Sequence, residues 1–290
     1  MINPDLLKSF VAAADTGSFS AAGRLLGRQQ STISSNISRL EDILGVVLFS
    51  RSGKYPQLSE AGAALYDSAK QAVESTERFA NNASLLSAGE PISITIGLDE
   101  DLPIGPLQLL LREIRSAYPH LQLIILRESG TRLIELIKND SIELALIPTL
   151  ESSSNFYEFR IAGLVELVIV CGKQHKFASK RTISNDDLMQ TTQVVPNSSN
   201  DSLYAINQMS PDRWACQGYE ALLEAVRADI GWAMLPLFPG DDLPQGLTRI
   251  NPEFAMKNLA MQYELLWQKN SAQSEVERFI MDRLITLLSA

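Results

Sequence analysis

Ser18 to Leu44, SFSAAGRLLGRQQSTISSNISRLEDIL, is the stretch from which the rest of the chain takes its meaning. Ser18 and Ser20 are N-cap residue types, Ala21, Ala22, Leu25 and Leu26 follow at helical spacing, and Gly27 supplies a C-terminal stop. A second helix begins near Gln30. Its apolar residues Ile33, Ile37, Leu40 and Leu44 step by four, three and four and form one buried stripe. Ser31, Ser34, Ser35, Asn36, Ser38 and Arg39 fall on the remaining surface. Two short helices joined by a tight turn, the second with a face of small hydrogen-bonding side chains, suit docking into the major groove of DNA. Long side chains would hold the backbone off the duplex. Ser and Asn approach phosphates and base edges closely, and Asn matches the N6/N7 edge of adenine.

Outward from that stretch the pattern becomes specific. Leu7, Phe10, the run Gly17-Ser18-Phe19-Ser20-Ala21-Ala22, Leu25, Gln30, Ser34, Ile37, Leu40-Glu41, Leu44-Gly45, Leu48-Phe49, Arg51, Leu58 and Ala61-Gly62 together resemble the N-terminal signature of LysR-type transcriptional regulators. A match spread over about sixty residues is much harder to meet by chance than one short motif. The resemblance implies an α/β multidomain protein with three parts. These are an N-terminal winged helix-turn-helix, a long linker helix that dimerises, and a C-terminal effector domain of two α/β subdomains resembling type 2 periplasmic binding proteins. The DNA contacts it points to are Gln30, Ser31, Ser34, Ser35 and Asn36 on the second helix and Arg51 in the Leu-Phe-x-Arg element of the wing. Ser35 stands where Arg or Lys is frequent in the family, which predicts weaker direct phosphate binding.

The chain has 290 residues, 45% of them hydrophobic, enough for two or three packed domains. No window holds 18 uninterrupted apolar residues, and MINPDLLKSF has no basic start followed by an apolar run and a cleavage site. The expectation is a cytosolic protein without a membrane partner. Two cysteines, Cys171 and Cys216, cannot make a disulfide framework and read as buried structural thiols. A net charge of −9 taken as a whole opposes binding to DNA, but the charges are unevenly distributed. Residues 1–60 carry six Lys/Arg against five Asp/Glu, a balance of +1, so the other 230 residues carry −10. A remote negative domain is screened beyond a Debye length of about 8–10 Å, which leaves DNA binding open to the first sixty residues.

Asn3 and Pro4 read as N-cap and first position of a helix with Leu6, Leu7, Phe10, Val11 and Ala14 on its apolar side, ending near Gly17. Val47 to Phe49, a turn at Ser52-Gly53-Lys54, and Tyr55 to Leu58 read as the hairpin of a wing, so the reading head spans 1–58. Ser59 then opens a helix running to about Ser87. Leu65, Ala69, Ala72, Thr76, Phe79, Ala83 and Leu86 repeat on it at alternating steps of four and three. Such a seam, half of it small residues, fits close pairing with a second helix, and 59–88 is read as the dimerisation helix of a homodimer or dimer of dimers. Two reading heads held at fixed spacing suit a partly palindromic site.

Beyond Ala88-Gly89-Glu90-Pro91 the period changes, and 89–290 reads as alternating strands and helices. Short buried strands are expected at Ile92–Leu98, Leu121–Leu126, Ile142–Pro148, Leu164–Val170, Gln193–Pro196, Trp232–Leu235 and Gln262–Trp267. Helices are expected at Ile104–Tyr118, Arg132–Asn139, Ser184–Met189, Gly218–Asp229 and Ser274–Leu288. This alternation resembles the family's effector domain, with subdomain I at about 91–162 and 262–290, subdomain II at about 163–261, and crossovers near Leu150–Gly163 and Met256–Gln262. Ile96-Gly97, Tyr118-Pro119, Ile142-Glu143-Leu144-Ala145 and ADIGWAMLP at 228–236 are similar to family stretches. Glu143 stands where Asp is common, and Asp229 where Gly is common, which bears on the local turn geometry, since Asp tolerates left-handed conformations less well than Gly.

His120 and His175 have no metal or triad spacing, no Gly-rich phosphate loop follows a strand, and GxSxG is absent. No enzyme, cofactor or metal is therefore expected. A ligand is expected in the cleft between subdomains, where strand C-termini and helix N-termini expose backbone groups. The residues placed there are Asp99, Glu100, Asp101, Ser129, Thr131, Thr149, Asn197 and Ser198. By resemblance, Asp101 and Thr131 match positions where regulators of organic acids hold the effector carboxylate with hydroxyls. Asp at the first of them favours a cation, an amine or a neutral polyol over a simple anion. A competing reading makes Asp99 and Glu100 caps of the following helix. A second function class, a solute-binding protein whose cleft is the whole function, remains open at this level.

Overall fold

The computed structural model describes residues 2–50, 56–105, 107–149, 156–197, 208–253 and 259–289. They form two compact units, Met1–Ala88 and Gly89–Ala290. In the first, α1 (Pro4–Thr16) starts where the Asn3 side chain accepts from the Asp5 N–H, with Pro4 at the position that needs no donor. Helix α2 (Phe19–Leu25) is capped by Ser18, and α3 (Gln30–Leu44) carries the stripe Ile33, Ile37 and Leu40, all buried. These pack with Leu6, Phe10 and Leu48, while Phe49 meets the rings of Phe10 and Phe19 edge to face at 5.7 and 5.3 Å.

Of the expected wing's first apolar run, Val47 and Leu48 lie outside the ladder. The described ladder is β1 (Phe49–Ser50) against β2 (Gln57–Leu58), and the expected turn at Ser52–Lys54 lies outside the described residues. Leu48 and Phe49 N–H groups donate to Glu41 Oε1 at 2.7 and 3.3 Å, so a helix side chain takes the place of a longer strand partner. Helix α4 (Glu60–Ser87) is capped by Ser59 Oγ, which accepts from the Gly62 N–H. Twenty-eight residues make it about 42 Å long. Most of it is exposed, including Phe79 at 76% and Leu86 at 63%.

The second unit is built on one sheet. Its elements are β3 (Ser93–Asp99), α5 (Leu107–Ala117), β4 (Gln122–Glu128), α6 (Gly130–Lys138), β5 (Leu144–Pro148), β6 (Tyr157–Gly172), α7 (Asn185–Met189) and β7 (Gln193–Pro196). There follow β8 (Arg213–Cys216), α8 (Tyr219–Arg227), β9 (Trp232–Leu237), β10 (Leu247–Arg249), β11 (Ala260–Gln268) and α9 (Glu275–Ser289). The strand order is β4-β3-β5-β11-β6-β9-β7-β8, with β10 on β6. β3 runs parallel to β4 and β5, whereas β11 is antiparallel to β5 and β6.

β6 corrects the expected crossover. From Tyr157 onward the chain is strand, not connection: β6 pairs with β11 from Tyr157 to Glu166 and with β9 from Glu166 to Cys171. Sixteen residues, roughly 53 Å of extended chain, thus join two half-sheets without interruption. The strand alternation was available in its first part, where Tyr157, Phe159 and Ile161 alternate with Glu158 and Arg160, although Glu158 to Ile161 are all exposed on this edge. Residues 150–155 and 254–258, the other parts of the expected crossovers, lie outside the described residues. β4 also departs from expectation, being an edge strand that leaves Ile124 40% exposed. In the first half, α5 and α9 cover one face and α6 the other. In the second, α8 covers one face, and Phe177, Ile183 and Leu188 pack around buried Trp232 on the other.

Candidate nucleic-acid interface and effector cleft

The turn into α3 is tight: the Arg28 N–H donates to the Gly23 carbonyl at 2.8 Å, and a Cβ on Gly23 would come within 2.8 Å of the Arg28 carbonyl oxygen. With Ile33, Ile37 and Leu40 buried, the opposite face of α3 presents Gln30, Ser31 and Ser35 to solvent, and Ser34 is half-buried at its flank. Asn36 behaves differently. Its Nδ2 donates to Ser9 Oγ of α1 at 2.8 Å, and Ser9 donates on to the Asp5 carbonyl at 2.8 Å. One amide hydrogen of Asn36 is thus committed to holding α3 on α1. Arg51 lies outside the described residues. Arg28, Thr32, Ser38 and Arg39 are also exposed on or beside the same face, and the sequence pattern alone did not mark them as contacts. Steps of 100° from Ser31 would have placed Ser35 and Ser38 beside it.

In the second unit, β3 and β5 are parallel and their C-terminal ends open on one side. The end of β3 and the loop after it hold Asp99 and Asp101, only 0% and 2% exposed, with Glu100 half-buried between them. These acids do not cap α5, which starts at Leu107. Instead the Asp101 N–H donates to Asp99 Oδ1 at 3.1 Å and the Leu102 N–H to the Asp99 carbonyl at 3.1 Å, an Asx-type turn closed on itself. Asp101 lines a small cavity of about 30 Å³ together with Gln193, Tyr219, Met234, Pro236 and Met261. Its walls are mainly apolar.

Among the described residues, the other expected ones follow β4, β5 and β7 and do not line that cavity. Ser129 caps α6 by accepting from the Arg132 N–H and lies 3.3 Å from the Thr131 hydroxyl. Thr149 Oγ1 accepts from Gln262 Nε2 at 3.1 Å and its hydroxyl bonds buried Glu264. The Asn197 side chain is exposed while its N–H donates to the Cys216 carbonyl at 2.7 Å, and Ser198 lies outside the described residues.

Three groups here carry no clear mark in the sequence. Arg127, on β4, donates through Nη2 to the carbonyls of Glu100 at 2.5 Å and Leu102 at 2.6 Å. Burial pulls its pKa down, and the carboxylates of Asp99 and Asp101 oppose that. Glu264 is 3% exposed, and burial raises its pKa against the hydrogen bonds from Thr149 and Gln262. Burial pushes the Tyr219 hydroxyl up to about 12. An arginine ending the apolar run LQLIILR was the available signal for the first of these. Among the described residues no group of three or more His, Cys, Asp or Glu could hold a metal, and no helix is long and apolar enough to cross a membrane. Cys171 is buried, its thiol pushed up to about 11 by burial and by Asp229, and Cys216 is half-buried.

Residues 4–63 match the model of bacterial regulatory helix-turn-helix proteins of the lysR family, and residues 88–288 match the LysR substrate binding domain. The chain belongs to the LysR family. As a LysR-type protein it is a DNA-binding transcriptional regulator with an effector-binding domain. It is 27% identical to the HTH-type transcriptional regulator AceR of Acinetobacter baumannii, over 97% of this chain and 96% of that one. It is 31% identical to the HTH-type transcriptional regulator ShiR of Corynebacterium glutamicum, over 63% and 62% of the two chains. Its fold is shared with HinK, a LysR family regulator from Pseudomonas aeruginosa, with a TM-score of 0.57, 21% identity, and 100% and 99% of the chains covered. Full-length CbnR complexed with its target DNA gives a TM-score of 0.51 at 18% identity, covering 98% and 99%.

Proposed function

We propose that this LysR-type regulator reads promoter DNA through Gln30, Ser31, Ser34 and Ser35 of α3, with Asn36 positioning the helix and Arg51 contributing from the wing. The observation that carries the reading is the exposed, serine-lined face of α3 directly opposite its buried isoleucine stripe. Side chains this short let the helix backbone approach phosphates and base edges. Domain limits of 1–58, 59–88 and 89–290 assign α4 to dimerisation, and its exposed Phe79 and Leu86 support a second copy as the partner. The protein acts in the cytosol, catalyses no reaction, and responds to a small molecule seated by Asp101. Two buried carboxylates in one loop disfavour a simple anion as that effector. An effector acts only through a difference in affinity between two arrangements of the domain.

Ser31→Glu with Ser35→Glu places two negative charges on the reading face without touching the core. Titration of a labelled promoter fragment should show binding weakened at least about a hundredfold, from lost approach and added phosphate repulsion. Unchanged promoter affinity in the double variant would overturn the assignment of this face.

A further inference from the structure

Helix α8 begins on Gly218, which has no side chain to accept from the first N–H groups of the helix and stands at φ 78° and ψ 157°. A helix end buried without a cap is costly, so its donors need other partners. The Tyr219 N–H finds one outside its own half of the domain: the carbonyl oxygen of Glu100, at 3.0 Å, in the loop after β3. That same oxygen accepts from Arg127 Nη2 at 2.5 Å, and Arg127 also holds the Leu102 carbonyl at 2.6 Å. The Glu100 N–H is tied to the Glu128 carbonyl of β4 at 2.9 Å. The Glu100 peptide is therefore fixed from the first half and offers its oxygen to the second. The cavity bounded by Asp101 and Tyr219 lies beside this contact.

We propose that the Glu100 carbonyl, aimed by Arg127, is a latch that holds the effector cleft closed, with Arg127 as its positioning residue. The inference rests on reading this cleft as the effector site. Arg127 suits the task because the two hydrogens of one nitrogen, Nη2, serve both carbonyls, and a lysine stem ends one bond short of that nitrogen. With the latch in place the loop and the first turn of α8 open together, so a ligand displacing Asp101 is felt in the other half of the sheet. An effector that recognises the closed cleft then finds it already populated.

Residue-resolved amide hydrogen exchange on the full-length protein tests the latch without knowing the effector. In the wild-type chain the amides of Tyr219, Asp101 and Leu102 should exchange with one common opening rate. Arg127→Lys keeps the charge but ends one bond short of Nη2, and the Tyr219 amide should exchange about two- to tenfold faster, the range for one net hydrogen bond. The last turn of α8 should be unaffected. Tyr219→Pro, at a helix position where proline is tolerated, removes the donor, and Tyr219→Ala removes only the side chain. The Asp101 and Leu102 amides should exchange faster in the proline variant than in the alanine variant.

A loop loosened by Arg127→Lys with no change at Tyr219 would confine Arg127 to its own half and overturn the proposal. Equal exchange in the Tyr219 pair would overturn it too. Should the substituted chains not fold, unlinked opening rates in the wild type would do the same. Failure of every compound to bind the cleft, with the exchange pattern as expected, would retire the effector reading and leave only the coupling of the Glu100 loop to α8.

Discussion

Asp229 shows how a single substitution from a family pattern can be read. It occupies the position after the C-cap of α8 with φ 59°, a left-handed conformation that glycine adopts freely and other residues do at a cost. Its Oδ1 crowds the place where a Cβ on Gly172 would sit and has no hydrogen-bond partner among the described residues. Asp229→Gly should raise stability by about 0.5–1 kcal/mol, seen as a rise of roughly 2 °C in the thermal midpoint. Asp229→Asn, which tolerates the turn, separates backbone strain from the half-buried charge. Glu143, the other departure, keeps a plain structural task, its Oε2 accepting from the Thr95 N–H of β3 at 2.7 Å. Glu264 predicts a pH effect. Because burial raises its pKa in the fold, its contribution is most favourable below the ordinary carboxylate range and is lost as pH rises through the raised value. Glu264→Gln should therefore flatten the pH dependence of the unfolding midpoint and stabilise the protein at neutral pH. A wild-type midpoint that rises relative to the variant over that window would contradict the sign.

At the level of elements, α4 carries the clearest consequence. Its exposed Phe79 and Leu86 belong to a seam with Ala72, Thr76 and Ala83, and one surface helix of this length gains little by showing them to water. Phe79→Asp with Leu86→Asp should weaken self-association by about a hundredfold or more, since two charges would be placed in the paired seam. Sedimentation equilibrium reads this directly, and an unaltered association constant would move the interface elsewhere. Helix caps were the most legible local signals: Asn3, Ser18, Ser59 and Ser184 each accept from a backbone N–H in the first turn that follows. Ser184 and Asp187 complete a reciprocal capping box. The short strands β8 and β10 had no comparable signal, being three or four residues with mostly polar or exposed side chains that pair only because a neighbour presents an edge.

Across the whole molecule the net charge of −9 and the near-neutral first 60 residues set the conditions for DNA binding. Attraction comes from a few cations against a chain that is acidic elsewhere, so promoter affinity should fall steeply with salt. With about four phosphate contacts, binding should drop about a hundredfold between roughly 50 and 200 mM salt. A salt-independent affinity would mean that the α3 face does not approach phosphates.

The stripe of α3, the helix caps, the break at Ala88-Gly89 and the alternation of strands and helices were all decided by the sequence itself, because each depends on residues within a few positions of one another. The tertiary structure alone decided that β6 runs unbroken through both halves of the sheet, that Asn36 faces Ser9, that the acids after β3 close their own turn, and that Arg127 and Tyr219 meet at the Glu100 carbonyl. Most of those contacts join residues 27 to more than 100 positions apart, or depend on which strand edge is left to pair. Local periodicity carries no record of such meetings; only the packed chain brings the partners within hydrogen-bonding reach.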